Sequence, residues 1–354
     1  MHCPTSVGGN AWTLSRAERK LGLDSTVMVL QKSWLGYPAD IDLQLEKNSK
    51  ARSARKLLTF FLKAVAQYDV FHFNFGSSFL PHLPHLSFLD LVDLPVLRTL
   101  GKKIVVTYQG CDVRQRNFCT NNFAISACAE PDCYGGICNS RTDALKKKRA
   151  RKFGRYAHKI FAFNPDLLYV LPPQAEFLPY SSVDLNQWQP AKENKGEKLV
   201  ILHSPTDKGA KGTKYILEAV ERLKSEYKNV EMMLVENIPH NKVRELYQKA
   251  DLAIDQLLVG WYGGFAVEMM ALGKPVVCYI REDDLKFIPA QMRKDLPIIN
   301  ANPSNIYEVL EQLIEEPEKL TLIGGQGRAY VERWHDPMRI ADRMKEVYES
   351  LCVE

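Results

Sequence analysis

The sequence has no run of about 18 apolar residues, the length a membrane-crossing helix requires, so no transmembrane span is expected. Its opening, MHCPTSVGGNAW, lacks the apolar stretch of a secretory signal. The two absences together predict a cytoplasmic protein with reduced thiols. No internal repeat is found, which argues against a repeat architecture. Neither sign of charge is in large excess. A net charge of +5 is too small to imply nucleic acid, and it fits anionic substrates or loose contact with a membrane surface. A hydrophobic content of 45% with 25% charged residues is ordinary for a globular protein and argues against disorder. No side chain stands out as a nucleophile. At 354 residues the chain is long enough for two domains of ordinary size.

What is there centres on residues 251–280, DLAIDQLLVGWYGGFAVEMMALGKPVVCYI. The spacing predicts a strand over 252–255, a loop bearing Gly260, Gly263 and Gly264, a helix over 265–272, a turn at Gly273-Lys274-Pro275 and a strand over 276–280. Glu268 is the one acidic residue in an otherwise apolar helix, and a carboxylate there is costly unless it is hydrogen-bonded. The N–H groups at the helix start, around Gly263, Gly264 and Phe265, point at the loop and suit an anion such as a pyrophosphate. Together they suggest a loop for phosphates and a glutamate for the sugar hydroxyls of a nucleotide. The alternative is an ordinary βαβ unit whose glutamate only complements the helix dipole.

Ahead of this stretch, Gly8-Gly9-Asn10 is a turn signal before helical spacing over 11–21, with Asn10 placed to cap the helix. Apolar strands are expected at 26–30, 69–73 and 103–108, with an amphipathic helix over 50–67 whose basic residues face outward and another helix ending over 94–100. His72 reads either as a core histidine or as a site residue. The loop Gln109-Gly110-Cys111-Asp112-Val113-Arg114 lies at the carboxyl end of a strand, where α/β sheets place ligands. Asp112 and Arg114 would hold acceptor hydroxyls or a donor phosphate, or else pair with one another. Cys119, Cys128, Cys133 and Cys138 crowd together at spacings x8, x4 and x4. They read as a structural zinc site of four thiolates or as unligated cysteines in an inserted loop. KKKRARKFGR at 146–155, on a helix from about 142, is a solvated basic face or a contact for anionic lipid headgroups.

A polar linker over 187–197 separates the halves. The second half opens with a strand at 198–203 and a loop at 204–212. Lys208, Lys211 and Gly212 then lead into a helix over 213–227, a strand over 231–235 and a helix over 240–249. Past residue 280, helices are expected over 284–292, 303–315, 320–334 and 338–351.

These motifs, in this order, resemble the retaining family 4 of GT-B glycosyltransferases. The family's donor motif runs Glu, seven residues, Glu, then a helix ending in Ala-x-Gly-x-Pro-Val-Val. Glu268 matches the second glutamate, and the first falls at Gly260 and is absent. The strand Asp69-Val70-Phe71-His72-Phe73 and the loop after Tyr108 are similar to the family's Asp-Val-Val-His-x-His and Tyr-His-Gly-Ser-Asp-Val-Arg, with Gln109 in place of histidine. Residues 177–184 resemble its interdomain run. Lys211-Gly212 matches its Lys-Gly, while the arginine upstream is missing and Lys208 is the nearest substitute.

The resemblance implies an α/β fold of GT-B type, two Rossmann-like domains facing across a cleft. Residues 1–186 would form the acceptor-side domain with a cysteine-bearing insertion at 111–142, 187–335 the donor domain, and 336–354 a helix crossing back. Few residues precede Gly8, so the first strand is expected to be missing or very short. The implied activity is transfer of a sugar from a nucleotide-sugar donor, a UDP- or GDP-sugar, to a hydroxyl of a sugar or lipid-linked acceptor. It would proceed with retention and without a catalytic metal, in cell-surface polysaccharide or glycolipid synthesis and with peripheral contact at the inner membrane face. Lys211, Lys208 and Asp112 would be the catalytic residues, with the lysines stabilising the leaving diphosphate. Glu268 would hold the ribose. Gly263, Gly264, Phe265, Gly8, Gly9, Arg114 and Gly212 would complete donor binding. The alternatives are a GT-B nucleotide-sugar 2-epimerase and an inactive nucleotide-sugar-binding subunit.

Overall fold

The structure is a computed structural model, and it describes residues 1–79, 90–190, 196 and 198–353. Along the chain come β1 (His2–Cys3), α1 (Asn10–Lys20), β2 (Met28–Val29), β3 (Ile41–Asp42), α2 (Lys50–Gln67), β4 (Val70–Asn74), α3 (Asp93–Thr99), β5 (Lys103–Tyr108), α4 (Arg116–Asn122), α5 (Ser140–Tyr156), β6 (Lys159–Ala162) and β7 (Ala175–Phe177). Then follow β8 (Leu199–His203), α6 (Lys208–Lys211), α7 (Thr213–Glu226), β9 (Val230–Leu234), α8 (His240–Tyr247), β10 (Leu252–Ile254), α9 (Gly264–Ala271), β11 (Val276–Cys278), α10 (Ala290–Asp295), β12 (Ile299–Asn300), α11 (Ile306–Glu315), α12 (Glu318–Trp334) and α13 (Pro337–Val353). Part of the linker expected over 187–197 lies outside the described residues.

The chain divides into two compact units. One comprises Met1–Arg114, Ala144–Ser182 and Pro337–Glu354, the other Gln115–Asp143 and Val183–Asp336. The last helix thus belongs with the first unit. The cysteine-bearing segment packs with the second unit, although the sequence suggested an insertion in the first.

The first unit is built on a parallel sheet in the order β1-β4-β5-β6-β7. Val27 bridges to His2 beyond β1, so the β2–β3 pair continues the sheet edge. That is the doubly wound order, with its switch point between β1 and β4. Strands of such a sheet are covered on both faces, which is why Ile104, Val105 and Val106 form an unbroken buried run. The first strand is present but only two residues long, registered His2 on His72 and Cys3 on Phe73. Asn10 does not cap α1. Gly9, at φ 70°, occupies the N-cap position, and the Asn10 side chain accepts a hydrogen bond from the Ser181 N–H at 3.0 Å. His72 is a core histidine. It is fully buried and bridges Tyr348 on α13 and Thr107 on β5 at 2.7 Å each.

The second unit carries a parallel sheet in the order β12-β11-β10-β8-β9, whose switch point falls between β8 and β10. Its core joins Ile201, Leu252, Ile254 and Val277 of the strands to Ile216, Val220 and Leu223 of α7 and Leu310 of α11. The helix expected over 284–292 is instead a 3-10 turn, Glu282–Phe287, followed by α10. Pro289 sits at the N-cap of α10, where its missing N–H does no harm. No helix among the described residues is long and apolar enough to cross a membrane.

Candidate functional site

In the second unit the loops after β8 and β10 leave the sheet at its switch point, the position where open α/β sheets hold ligands. Asp255, the residue after β10, has a side chain with no solvent exposure. Its Oδ1 accepts from Lys211 Nζ at 2.6 Å and its Oδ2 accepts from the Gly263 N–H at 2.6 Å. One buried carboxylate therefore orders both the lysine and the glycine loop. His203, at the end of β8, donates Nδ1–H to the Ile254 carbonyl, which fixes its tautomer and leaves Nε2 to accept from Thr213 Oγ1. Burial pushes His203 down to about 4, so it stays neutral and serves to fasten β8, β10 and α7 together.

Asp207 caps α6 by accepting from the Ala210 N–H, and Gly212, at φ 73°, turns the chain directly into α7. A side chain at Gly212 would meet Leu258 at 3.0 Å, so a left-handed, side-chain-free residue is required there. Lys208 does not share this environment. It is 57% exposed and pairs with Glu236 at 3.0 Å. Phe265 packs edge-on against Tyr247, whose hydroxyl donates to Ser204.

Glu268 is 5% exposed on α9. Its Oε1 lies 2.6 Å from His240 Nε2, and the His240 ring neighbours Trp188. Burial acts to lower the pKa of His240, but the hydrogen bond and charge of Glu268 outweigh it, so the net shift is upward. The pair's contribution to stability is therefore complete below the ordinary histidine value of 6.5 and is lost as pH rises through the raised folded value. His240→Ala is expected to melt below the wild type by a margin that is wider at pH 6 than at pH 9. Melting curves across that range check it, and a margin independent of pH would mean the pair is not charged.

Gly260, where the family pattern expects a first glutamate, has φ 90°. The place a side chain would take is filled by the Arg281 guanidinium, 2.7 Å from an ideal Cβ. Arg281 pairs with buried Asp284 at 2.8 Å, donates to the carbonyls of Ile125 and Val259, and lies 3.7 Å over the Phe123 ring. The missing glutamate and the docked segment Gln115–Asp143 thus share one cause, because the arginine that excludes a side chain at Gly260 also fastens that segment. Further along it, the Tyr134 N–H donates to Asp207, and Glu130 holds Lys214 and Tyr215. Gly209 lies so close to the Asp132–Cys133 backbone that a Cβ would approach it at 2.6 Å.

Among the described residues no group of three or more His, Cys, Asp or Glu side chains is arranged to hold a metal ion. Cys119, Cys128 and Cys133 are buried, and Cys133 packs with Ala127, Ala210 and Leu258 in a small apolar cluster. Cys138 is partly exposed. Cysteine used in this way behaves as a small hydrophobe.

In the first unit, the carboxyl ends of β1 and β5 carry the Gly8-Gly9 turn and the Gln109–Arg114 loop. Gly8 and Gly9 both have positive φ, 68° and 70°, and lie against Gln109, Tyr37 and the Ser182 carbonyl. Gln109 Nε2 and Ser182 Oγ are buried without a hydrogen-bond partner among the described residues. Asp112 accepts from the Gly110 N–H at 2.7 Å and from the Gln109 N–H. The Arg114 guanidinium grips Asp166 with two bonds, at 2.7 and 3.0 Å, and its charge also acts on Asp112. Burial of its carboxyl pushes Asp112 up to about 6, against the opposing effect of the backbone N–H groups.

No family model matches the sequence, and no curated protein matches it. Solved structures do. Sucrose-phosphate synthase from Thermosynechococcus elongatus superposes with a TM-score of 0.63 at 15% identity, covering 99% of both chains. Anabaena HepE in complex with UDP and glucose gives 0.61 at 14%, covering 99% of this chain and 98% of its own. A Listeria monocytogenes structure described as a UDP-N-acetylglucosamine 2-epimerase gives 0.53 at 13%, covering 97% and 93%. This likeness shows the fold, a GT-B-type α/β fold with Rossmann-like units, as the sequence motifs suggested.

Proposed function

We propose that the chain is a glycosyltransferase that takes a nucleoside-diphosphate sugar in its second unit and passes the sugar to an acceptor hydroxyl with retention. The observation that carries this reading is the cluster at the second switch point, where buried Asp255 holds Lys211 and the Gly263 N–H beside α9 and Glu268. Lys211 uses one N–H on Asp255 and keeps two donors for a diphosphate. The N–H groups at the start of α9 add to it. In the reaction the bond between the sugar's anomeric carbon and the diphosphate breaks with its electron pair going to the phosphate oxygen. Lys211 and the loop N–H groups stabilise that charge where it builds. The acceptor oxygen bonds to the same carbon and its proton passes to the departing phosphate. Glu268 holds the ribose hydroxyls. Lys208, exposed and paired with Glu236, has at most a supporting role.

UDP is the favoured nucleotide, since structures of the same fold bind it. In the first unit, the unpartnered Gln109 Nε2 and Ser182 Oγ beside Gly8 and Gly9 are suited to a polar ligand, and Asp112 is the candidate for contact with the acceptor. The test is a thermal-shift screen with UDP-, GDP-, ADP- and dTDP-sugars. A ligand at about 100 times its Kd stabilises by about 2.7 kcal/mol. Product analysis then separates transfer or donor hydrolysis from an epimerised sugar nucleotide, the second reading, which the Listeria structure's fold keeps in view.

Asp112 gives a further expected result. Its folded pKa of about 6 lies above the ordinary 3.8, so the folded state holds the extra proton between those values and loses stability as pH rises through the window. Asp112→Asn removes that loss. The melting temperature of the variant, relative to wild type, is expected to climb between pH 4 and pH 7. A flat difference would show that the carboxyl titrates normally.

A further inference from the structure

We propose that the outward face of α2 is a docking surface for an anionic lipid bilayer. The helix, KARSARKLLTFFLKAVAQ, carries Lys50, Arg52, Arg55, Lys56 and Lys63 and no acidic residue. Among the described residues, none of these five makes a side-chain hydrogen bond or an ion pair. Its inner face is already satisfied, with Leu57 and Ala64 buried and Phe60, Phe61 and Val65 packed on the core. On the outer face Leu58 and Leu62, one turn apart, are 60% and 61% exposed. At helical spacing Ala51, Leu58, Leu62 and Ala66 form one strip and Arg52, Lys56 and Lys63 the strip beside it, with Arg55 between them. Single exposed leucines are common on soluble proteins. A leucine strip flanked by unpaired cations is the pattern of a helix that lies in a membrane interface, apolar side chains below the headgroups and cations among them.

The basic run on α5, the other candidate for lipid contact in the sequence, has three of its cations held by the protein, one of them by an acidic side chain. Lys146 donates to the Arg114 carbonyl, Arg149 grips Asp90 with two bonds, and Lys152 donates to the Asp90 carbonyl. What separates the two helices is the apolar strip, since among the described residues α5 exposes no large apolar side chain beside its cations and α2 exposes Leu58 and Leu62. Charge also selects the occupant. A second copy of this chain seated on the same face would bring two sets of five cations together. A nucleic acid would have no use for the leucines. An anionic bilayer takes both.

The test is flotation of the full chain with vesicles of phosphatidylcholine alone or mixed with phosphatidylglycerol, at low and high salt. Wild type is expected to bind the anionic vesicles at least tenfold more tightly, and less so at high salt. Arg55→Glu with Lys56→Glu should lower that binding more than tenfold. Leu58→Ser with Leu62→Ser should lower it less, and leave the remainder more sensitive to salt. Lys147→Glu with Arg151→Glu, on the exposed side of α5, should change it little. Melting temperatures of all three variants, and UDP-sugar binding where it is detected, report on folding. Equal loss in the α5 and α2 variants would overturn the assignment, as would wild-type binding that ignores lipid charge. Concentration-dependent dimerisation abolished by the leucine substitutions would identify a second copy as the occupant and refute the bilayer.

Discussion

Lys211→Ala is expected to lower turnover of the nucleotide-sugar donor by roughly two to three orders of magnitude, the usual cost of deleting one preorganised group at a developing negative charge. The same substitution is also expected to lower stability, and the two effects must be separated. The Lys211 side chain is 14% exposed and that of Asp255 not at all. Removing one partner of a buried pair leaves an uncompensated charge and costs about 3–5 kcal/mol. Lys211→Met combined with Asp255→Asn removes both charges. The asparagine can still accept from the Gly263 N–H through its side-chain oxygen. The double variant should therefore recover much of the lost melting temperature and none of the lost turnover. If the single variant loses stability but keeps donor affinity and turnover, Lys211 is only the structural partner of Asp255. Donor binding by the wild type should also weaken at high salt, since part of the attraction is between separated charges.

The parts of this site that were legible in the sequence are those whose meaning is local. Glu268 stands out because its own helix is apolar, and the glycines of the loop because they break a strand-to-helix pattern. The strand at 103–108 and the helix at 50–67 follow from uninterrupted apolar runs and helical spacing, and both ends of each agree with the structure. The short strands β3, β7 and β12 carry two or three residues each and leave no period to detect. What was not legible is contact between distant segments. His240 reaches Glu268 from 28 residues away. Arg281 explains Gly260 only because the chain returns after β11 to the space a side chain would need. The cysteines left two readings open for the same reason. Four thiols close in sequence suggest a metal or an inserted loop, and ligation requires a convergence in space that spacing alone does not give; Cys133 packs in a small apolar cluster.

Glu268→Gln is expected to weaken donor binding by roughly tenfold to a hundredfold while the protein stays folded. A carboxylate on two ribose hydroxyls makes charge-assisted hydrogen bonds of about 1.5–3 kcal/mol each, and an amide of the same shape keeps one acceptor and loses the charge. The ligand-free geometry sharpens this expectation. Oε1 is occupied by His240 Nε2 at 2.6 Å, so Oε2 and the remaining lone pairs must serve a ligand. Glutamine disturbs the histidine contact as well, and some loss of melting temperature is expected from that alone. His240→Gln supplies the comparison. It keeps a hydrogen-bond donor toward the carboxylate and leaves Glu268 charged, so it should lose stability with little loss of donor affinity. The measurements are melting temperature and the nucleotide-sugar Kd of both variants. If the two variants lose stability alike and neither loses affinity, Glu268 and His240 are a structural pair and the ribose assignment fails. If affinity falls only in Glu268→Gln, the carboxylate is the group that the donor meets.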